Sequence, residues 1–153
     1  MDMKTNSFRT RLSEFWKNPA SAPDIFAETA VVDAAWPVNH LQGRDAILEQ
    51  LVLPIRSALS HLHRRDIMFV SGTNNRAEHG EWVSSITHYV GNFQNPLFGL
   101  IPSDKLAFFR SGEFYRIVDD QIVEAKIIFD LPDLMKRTAR ALESSARSAP
   151  RAV

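Results

Sequence analysis

Charged side chains alternate with large apolar ones along two adjoining stretches in the C-terminal half of the sequence. The stretches Leu106–Val118 and 121–130 are rich in Val, Ile, Phe and Tyr and are joined by Asp119-Asp120, which is typical of two β-strands and a turn. Side chains alternate between the two faces of a strand, so the even-numbered residues of each stretch share one face. That face carries Leu106, Phe108, Arg110, Gly112, Phe114 and Arg116 on the first strand, and Ile122, Glu124, Lys126, Ile128 and Asp130 on the second.

Guanidinium and carboxylate groups among apolar side chains have two interpretations. An unpaired buried charge costs much free energy, so this face either meets solvent or lines a pocket in which a few polar groups contact a ligand. In a pocket, Arg110 or Arg116 would hold a carbonyl or enolate oxygen of a substrate. The structural alternative is an ion pair across the hairpin with Glu124 or Asp130, which requires a bulged or three-residue turn.

A histidine lies on the next strand towards the N-terminus, predicted for residues 78–93. His88 shares its parity with Trp82, Ser84 and Ile86, and we expect these side chains to lie beside the hairpin. A neutral imidazole there could relay a proton or orient a ligand oxygen, and a histidine satisfied within the core is the alternative.

The remaining sequence predicts the elements that would position these residues. Apolar residues at helical spacing predict three helices, and Pro54 should kink the second because it lacks a backbone donor. Since no regular crossover helix separates successive strands, the order predicts an α+β fold: a cone-shaped, curved antiparallel sheet packed against about three helices, with a ligand site inside. The predicted helices are 5–17, 44–59 and 131–142, and the further strands are 30–36 and 63–71.

The predicted domain covers residues 1–143. The remaining residues, 144–153, are rich in Ser, Ala, Arg and Pro and are expected to form a disordered tail. The loop of residues 95–104 contains Leu97, Phe98, Leu100 and Ile101. Apolar loops of this kind are covered by a second subunit, by a ligand or by the domain itself, and together with the exposed sheet face this loop favours a homodimer.

Composition narrows the classes of partner and cofactor. Lys and Arg total 18, as do Asp and Glu, so no net charge attracts nucleic acid. No apolar run has the length of a membrane span and the first residues lack the core of a signal peptide, so we expect a cytoplasmic protein that binds neither membrane nor nucleic acid. There is no cysteine, no glycine-rich phosphate loop and no cluster at ligand spacing, so neither a metal nor another cofactor is predicted.

Residues 86–135 resemble the C-terminal signature of the SnoaL-like polyketide cyclases, which belong to the nuclear-transport-factor-two-like superfamily. The chain departs from that signature at Ser103-Asp104 in place of Thr-Gly, at Asp120 in place of a turn glycine, and by an extra residue between His88 and Gly91. The matching residues are Thr87, His88, Gly91, Pro102, Lys105, Gly112, Glu113, Phe114, Arg116, Ile122, Val123, Glu124 and Asp130.

This resemblance implies a nuclear-transport-factor-two-like (cystatin-like) cone and cofactor-free acid–base chemistry on a small apolar or aromatic carbonyl compound. Asp130 matches the family's proposed general acid/base in aldol-type ring closure, although an Asp before Leu-Pro-Asp is also a good helix cap. The alternative is a non-catalytic binder of a small apolar ligand or a dimeric module. The candidate catalytic residues are Asp130, His88 and Arg116, and the candidate substrate-binding residues are Arg110, Phe114, Trp82, Trp36, Phe26 and His40.

Overall fold

The computed structural model describes residues 3–74 and 80–148. Apolar residues at helical spacing form α1, and a helical unit of three joined pieces follows the first two strands. The helical segments are α1 (Met3–Lys17), a 3-10 turn (Pro19–Ser21), α2 (Arg44–Ile47), a π-helical turn (Leu48–Val52), α3 (Leu53–Ala58) and α4 (Leu131–Ser148). The strands are β1 (Phe26–Ala34), β2 (His40–Gln42), β3 (Leu59–Gly72), β4 (Glu81–Phe93), β5 (Leu106–Val118) and β6 (Gln121–Phe129).

These strands form one curved sheet in the order β2-β1-β6-β5-β4-β3, which confirms the predicted α+β fold. Every neighbouring pair is antiparallel except β1 and β6, which are parallel. The sequence predicted only antiparallel pairs because β1 and β6 are far apart in the chain. The pairing of β1 with β6 joins the two-stranded β1–β2 ribbon to the four-stranded meander β3–β6.

The hairpin of β5 and β6 turns at two residues and contains one extra residue in β6. Asp119 and Asp120 both have positive φ, 49° and 60°, as a two-residue turn of the type I′ class requires. Val118 pairs with Gln121, but the register shifts by one between Arg116 and Ile117. Even-numbered residues therefore face each other beyond the shift, which is the bulged alternative that the sequence left open.

The helical unit before β3 contains the predicted irregularity near Pro54. The backbone N–H of Leu53 donates to the carbonyl of Leu48, a π-type bond, and the α-helix resumes directly with Pro54 in its first turn. Pro54 has no backbone N–H to donate, but it lies in the first turn of a helix, where N–H groups have no partner within the helix anyway. The unit is bent by a π-turn and ends at Ala58.

The core lies between the helices and one face of the sheet. The apolar stripe of α1 is buried there, together with residues of the second helical unit and the odd-numbered positions of β4 and β5. The 95–104 loop partly joins this core, since Leu97 is fully buried while Ile101 remains 67% exposed. At the other end, α4 continues to Ser148, so residues 144–148 of the predicted tail are helical; residues 149–153 lie outside the described part.

Candidate functional site

The sheet has an inner face, which packs on the helices, and an outer face. On β4 and β5 the odd-numbered residues from Val83 to Phe93 and from Ala107 to Tyr115 are buried and define the inner face. The even-numbered residues define the outer face. The predicted site residues of the hairpin and of β4 therefore lie on the outer face.

Asp130 lies at the end of β6, where it caps α4 and pairs with Arg110. Its Oδ1 accepts the backbone N–H of Asp133 at 3.2 Å, and its Oδ2 accepts Nε of Arg110 at 3.0 Å and a second bond from the same guanidinium. The hydrogen bonds from Arg110 hold the pKa of Asp130 below its usual value, against a smaller opposing effect of burial. Asp130 is therefore both a helix cap and the partner of an arginine. Its catalytic role stays a prediction.

Arg116 and His88 have separate surroundings. Arg116 donates from Nε to Glu124 at 3.1 Å, the cross-strand pair that the bulged register permits. The His88 ring meets Phe108 edge-on at 6.2 Å. Partial burial, followed by the charge of Arg110, lowers the pKa of His88, so this imidazole is neutral at pH 7.

Two open cavities occupy the outer face, and Phe114 lines both. One, of about 570 Å³, also contains Arg110, Ile128 and Asp130 in its lining. The other, of about 590 Å³, also contains Trp82 in its lining. The fold thus brings together four of the predicted site residues, Arg110, Phe114, Asp130 and Trp82, along one surface.

The other three predicted substrate-binding residues lie elsewhere. Phe26 is buried in the core, with its ring 5.8 Å from that of Phe15. Trp36 is 68% exposed beyond β1, and His40 is an exposed residue of β2 whose Nδ1 lies 2.6 Å from Asp33. Trp36 and His40 therefore lie at the β1–β2 ribbon and line neither of the outer-face cavities.

A buried polar cluster lies on the inner face. Although Glu113 is among the residues that match the family signature, none of the residues of this cluster was a candidate site residue in the sequence analysis. Glu113 is its centre: Oε2 accepts from Nη1 of Arg64 at 2.6 Å and from the Tyr115 hydroxyl at 2.5 Å, and Oε1 accepts from the Tyr89 hydroxyl at 2.5 Å. The side chains of Glu113 and Arg64 are both 0% exposed. We call these four residues the Glu113 cluster.

Arg64 connects the Glu113 cluster to Ser85 of β4 and to Asp66 of β3. It lies 3.0 Å from the Tyr89 hydroxyl and, through Nη2, 3.2 Å from Ser85 and 3.0 Å from Asp66. Burial alone would lower the pKa of Arg64, but the Glu113 carboxylate and its neighbours raise it well above the usual value. The guanidinium and its acidic partners thus form a charged group inside the core.

The two tyrosines of the cluster are neutral donors. Burial, reinforced by the charge of Glu113, raises the pKa of Tyr89 and of Tyr115 well above the ordinary tyrosine value. A buried ion pair often contributes no more stability than apolar side chains of similar volume, so the Glu113 cluster is a candidate functional site as well as a structural one. The signal in the sequence was Glu113, the one carboxylate on a strand face that also carries Phe109, Ser111 and Tyr115.

The fold is an α+β architecture in which one mixed sheet packs against helices, with a polar cluster buried between them. The family model "SnoaL-like polyketide cyclase" matches residues 6–138, and the chain belongs to this family. Among curated proteins, none matches the sequence significantly. Within residues 3–74 and 80–148, no helix is long and apolar enough to cross a membrane.

Solved structures share this fold at low sequence identity. IdmH from Streptomyces antibioticus, a proposed polyketide cyclase, superposes with a TM-score of 0.68 at 16% identity, covering 91% of this chain and 99% of that one. AclR from Streptomyces galilaeus, a proposed hydroxylase, gives 0.69 at 15% identity, over 90% and 96%. A protein with a ketosteroid isomerase-like fold from Catenulispora acidiphila gives 0.65 at 13%, over 88% and 94%. At these identities the likeness concerns the fold alone.

Proposed function

We propose that this protein is a cofactor-independent enzyme of the cyclase or isomerase type that moves a proton on a carbonyl compound bound against the inner face. Membership of the SnoaL-like family supports the class of reaction. The observation that carries the proposal is the Glu113 cluster: a carboxylate, an arginine and two neutral phenols, all buried between the sheet and the helices.

Proton removal next to a carbonyl needs a base and a donor for the developing oxyanion. Within the described part of the chain, Oε2 of Glu113 accepts two hydrogen bonds, whereas Oε1 accepts only that of Tyr89. Oε1 therefore retains a lone pair that can take a proton. The raised pKa values of Tyr89 and Tyr115 keep both hydroxyls protonated. Each hydroxyl has one hydrogen, which it donates to Glu113, so a bond to an enolate oxygen forms only when that hydrogen leaves Glu113 as the carboxylate takes the proton of the substrate.

Substrate access requires a movement. The Glu113 side chain is fully buried, and the Trp16 ring of α1 lies 4.5 Å from the Tyr89 ring over the same face. A ligand reaches Oε1 only when α1 or the Tyr89 ring shifts, so we expect binding to be accompanied by a change at the contact of α1 with the sheet.

Asp130 is the second candidate for the proton transfer. Its place in the 570 Å³ cavity favours it, because a substrate there would reach the carboxylate without rearrangement. The hydrogen bonds from Arg110 lower its pKa and occupy Oδ2. Arg64 contacts Glu113 in the same way, so the two carboxylates differ in burial, which is complete at Glu113 and partial at Asp130. We therefore assign the proton transfer to Glu113 and treat Asp130 as the alternative to be tested.

The test is exchange of the α-protons of 2-tetralone for deuterium, followed by NMR, because it needs no knowledge of the natural substrate. Wild-type protein should raise the exchange rate above that in buffer alone. Glu113→Gln should lower the part of the rate that the protein adds by roughly two to four orders of magnitude. Circular dichroism would first establish that each variant is folded. Loss of exchange in Asp130→Asn, with activity retained in a folded Glu113→Gln, would transfer the role to Asp130.

We also propose that two copies of the chain pack through their outer faces. Large apolar side chains are exposed there on four strands, an arrangement more common at interfaces than on isolated domains. Their fractional exposure is between 41% and 63%, and the two outer-face cavities lie among them. The residues are Met68, Val70, Ile86, Phe114 and Ile128.

A further inference from the structure

The outer face carries a groove that crosses four strands of the sheet. Val70 of β3, Ser84 of β4, Phe114 of β5 and Lys126 of β6 are successive partners in the registers of these strands, and all four line the cavity of about 590 Å³. Neighbouring strands lie about 4.8 Å apart, so this row of residues spans about 14 Å. We call the cavity, with Trp82 beside the row, the Lys126 groove.

The two ends of the Lys126 groove differ in polarity. Val70 at the β3 end and Phe114 in the middle are 46% and 43% exposed, and the Trp82 side chain lies on the same face of the sheet. The uncharged residues 71–74 extend the lining beyond Val70. Among the described residues that line the groove, Lys126 at the β6 end is the one that carries a charge. A ligand along the groove would therefore place an apolar body over β3–β5 and a polar end at β6.

The ammonium group of Lys126 has a hydrogen to offer such a ligand. Its Nζ contacts Asp33 and lies 3.1 Å from Glu124, and these contacts use two of its three hydrogens. Each of these carboxylates also contacts a second basic side chain: His40 lies 2.6 Å from Asp33, and Arg116 lies 3.1 Å from Glu124. The hydrogen bond with Asp33 is the main cause that raises the pKa of Lys126, so the ammonium is charged at neutral pH.

Trp82 supplies a second donor in the lining of the groove. Its Nε1 is buried and has no hydrogen-bond partner within residues 3–74 and 80–148. Buried polar groups are hydrogen-bonded in the great majority of folded proteins, and an indole N–H can only donate. The partner that Trp82 lacks is therefore an acceptor.

A cation and an unpaired donor in a largely apolar groove call for a ligand that joins a negatively charged oxygen to an apolar chain. We propose that the Lys126 groove binds an unbranched aliphatic carboxylate. The carboxylate lies at Lys126 and the chain extends over Phe114 towards Val70. This site is on the opposite face of the sheet from Glu113, so it goes beyond the proposed function and does not depend on it.

A second copy of the chain is the competing occupant of the groove. Val70 and Phe114 belong both to the groove and to the apolar surface that we propose for self-association. Ile128 belongs to that surface and is not in the lining of the groove. A charge at Ile128 therefore separates the two occupants.

The experiment compares decanoate, decan-1-ol and decylamine by calorimetry on the full chain, below the concentrations at which they form micelles. The three probes share one chain and have an anionic, a neutral and a cationic head group. Wild-type protein should bind decanoate at least about tenfold more tightly than either of the others, because hydrogen bonds to charged groups are the stronger ones.

Two substitutions test the donors of the groove. Lys126→Met keeps the apolar stem and removes the ammonium, so it should weaken decanoate binding about tenfold and leave decan-1-ol binding unchanged. Trp82→Phe keeps a ring, removes the N–H and should weaken decanoate binding as well. The matched control is Lys136→Met, at an exposed position of α4 outside the groove, and it should change neither affinity. Circular dichroism would first establish that each variant is folded.

The same titration of Ile128→Lys identifies the occupant. This variant should bind decanoate at least as tightly as the wild-type protein does. Binding by Ile128→Lys alone would support the site and show that a second copy covers it in the wild-type protein.

Three results would overturn the proposal. One is decanoate binding that is absent from both the wild-type protein and Ile128→Lys. Another is decanoate binding that is no tighter than that of decylamine and decan-1-ol. The third is a decanoate affinity that is unchanged in both Lys126→Met and Trp82→Phe.

Discussion

Tyr89 and Glu113 are joined across β4 and β5 by a 2.5 Å hydrogen bond from the phenol to Oε1. Tyr115 donates at the same distance to Oε2, the oxygen that Arg64 also contacts. Two phenols therefore hold the two oxygens of one carboxylate. Only the oxygen beside Tyr89 keeps room for a further proton, so the two tyrosines should not be equivalent in function.

Removal of each phenol separates their roles. Tyr89→Phe and Tyr115→Phe should each lower the free energy of unfolding by about 1–3 kcal/mol, because each removes a donor from a buried carboxylate. Tyr89→Phe should change the rate of α-proton exchange at least tenfold more than Tyr115→Phe. Urea unfolding and NMR exchange measure the two quantities, and equal effects of both substitutions on exchange would contradict the assignment of Oε1.

The ion pair between Arg64 and Glu113 should dominate the stability effects of single substitutions on the sheet. Glu113→Gln leaves the buried guanidinium without its closest counter-charge and should lower the free energy of unfolding by about 3–5 kcal/mol. The matched control is Glu124→Gln, which removes the partner of Arg116 from a partly exposed pair and should cost about 0–1 kcal/mol. Similar losses of unfolding free energy in both variants would show that burial does not determine how much the Arg64–Glu113 pair contributes to stability.

Asp130 should behave as a helix cap in stability measurements. Asp130→Asn keeps an acceptor for the N–H of Asp133 and loses only the charge that pairs with Arg110, so it should cost less than Asp130→Ala, which should cost about 1 kcal/mol. Unchanged turnover in Asp130→Asn would end the sequence-based prediction that this residue is the catalytic base. Thermal melts and the exchange assay on both variants give the answer.

The lowered pKa of Asp130 also predicts how its contribution depends on pH. The folded pKa lies below the usual value of 3.8 because Arg110 stabilises the carboxylate, so the unfolded chain binds the proton more readily. The ionised Asp130 therefore adds to the free energy of unfolding above pH 3.8. This stabilisation is lost as the pH falls below 3.8 and through the pKa of the folded state. Melting of wild type and Asp130→Asn should differ at pH 6 and converge in strong acid, and a difference that grows in acid would refute this.

Two apolar surfaces compete as the site of self-association, and single charges distinguish them. Ile128→Lys places a charge on the outer face and should convert a dimer to a monomer in sedimentation, whereas Ile101→Lys in the 95–104 loop should leave it unchanged. The sequence favoured a homodimer from the loop and the exposed sheet face together; in the structure Leu97 of the loop is buried in the domain's own core. Dissociation by Ile101→Lys alone would restore the loop as the interface.

The strands of the hairpin could be predicted because their composition and turn residues agree. The two faces could not be told apart, because each mixes polar and apolar residues: Glu113 and Ser111 lie inside, while Phe114 and Ile128 lie outside. The register was likewise undetermined, since Asp119-Asp120 fits a simple turn and only the shift after Arg116 aligns Arg116 with Glu124. The candidate residues with a charge were even-numbered and lie on the outer face. Glu113, the buried carboxylate, is odd-numbered and was not among them.

The parallel pairing of β1 with β6 affects how the chain reaches its native state. The ion pair of Asp33 with Lys126 across these strands joins residues 93 positions apart. During synthesis, β1 and β2 have to wait until almost the whole chain has left the ribosome before β6 can flank them. Such a non-local closing step slows folding and leaves strand edges exposed to other chains in the meantime. Shortening the chain before residue 121 would leave both β1 and β5 with an open edge, and the product should aggregate rather than fold.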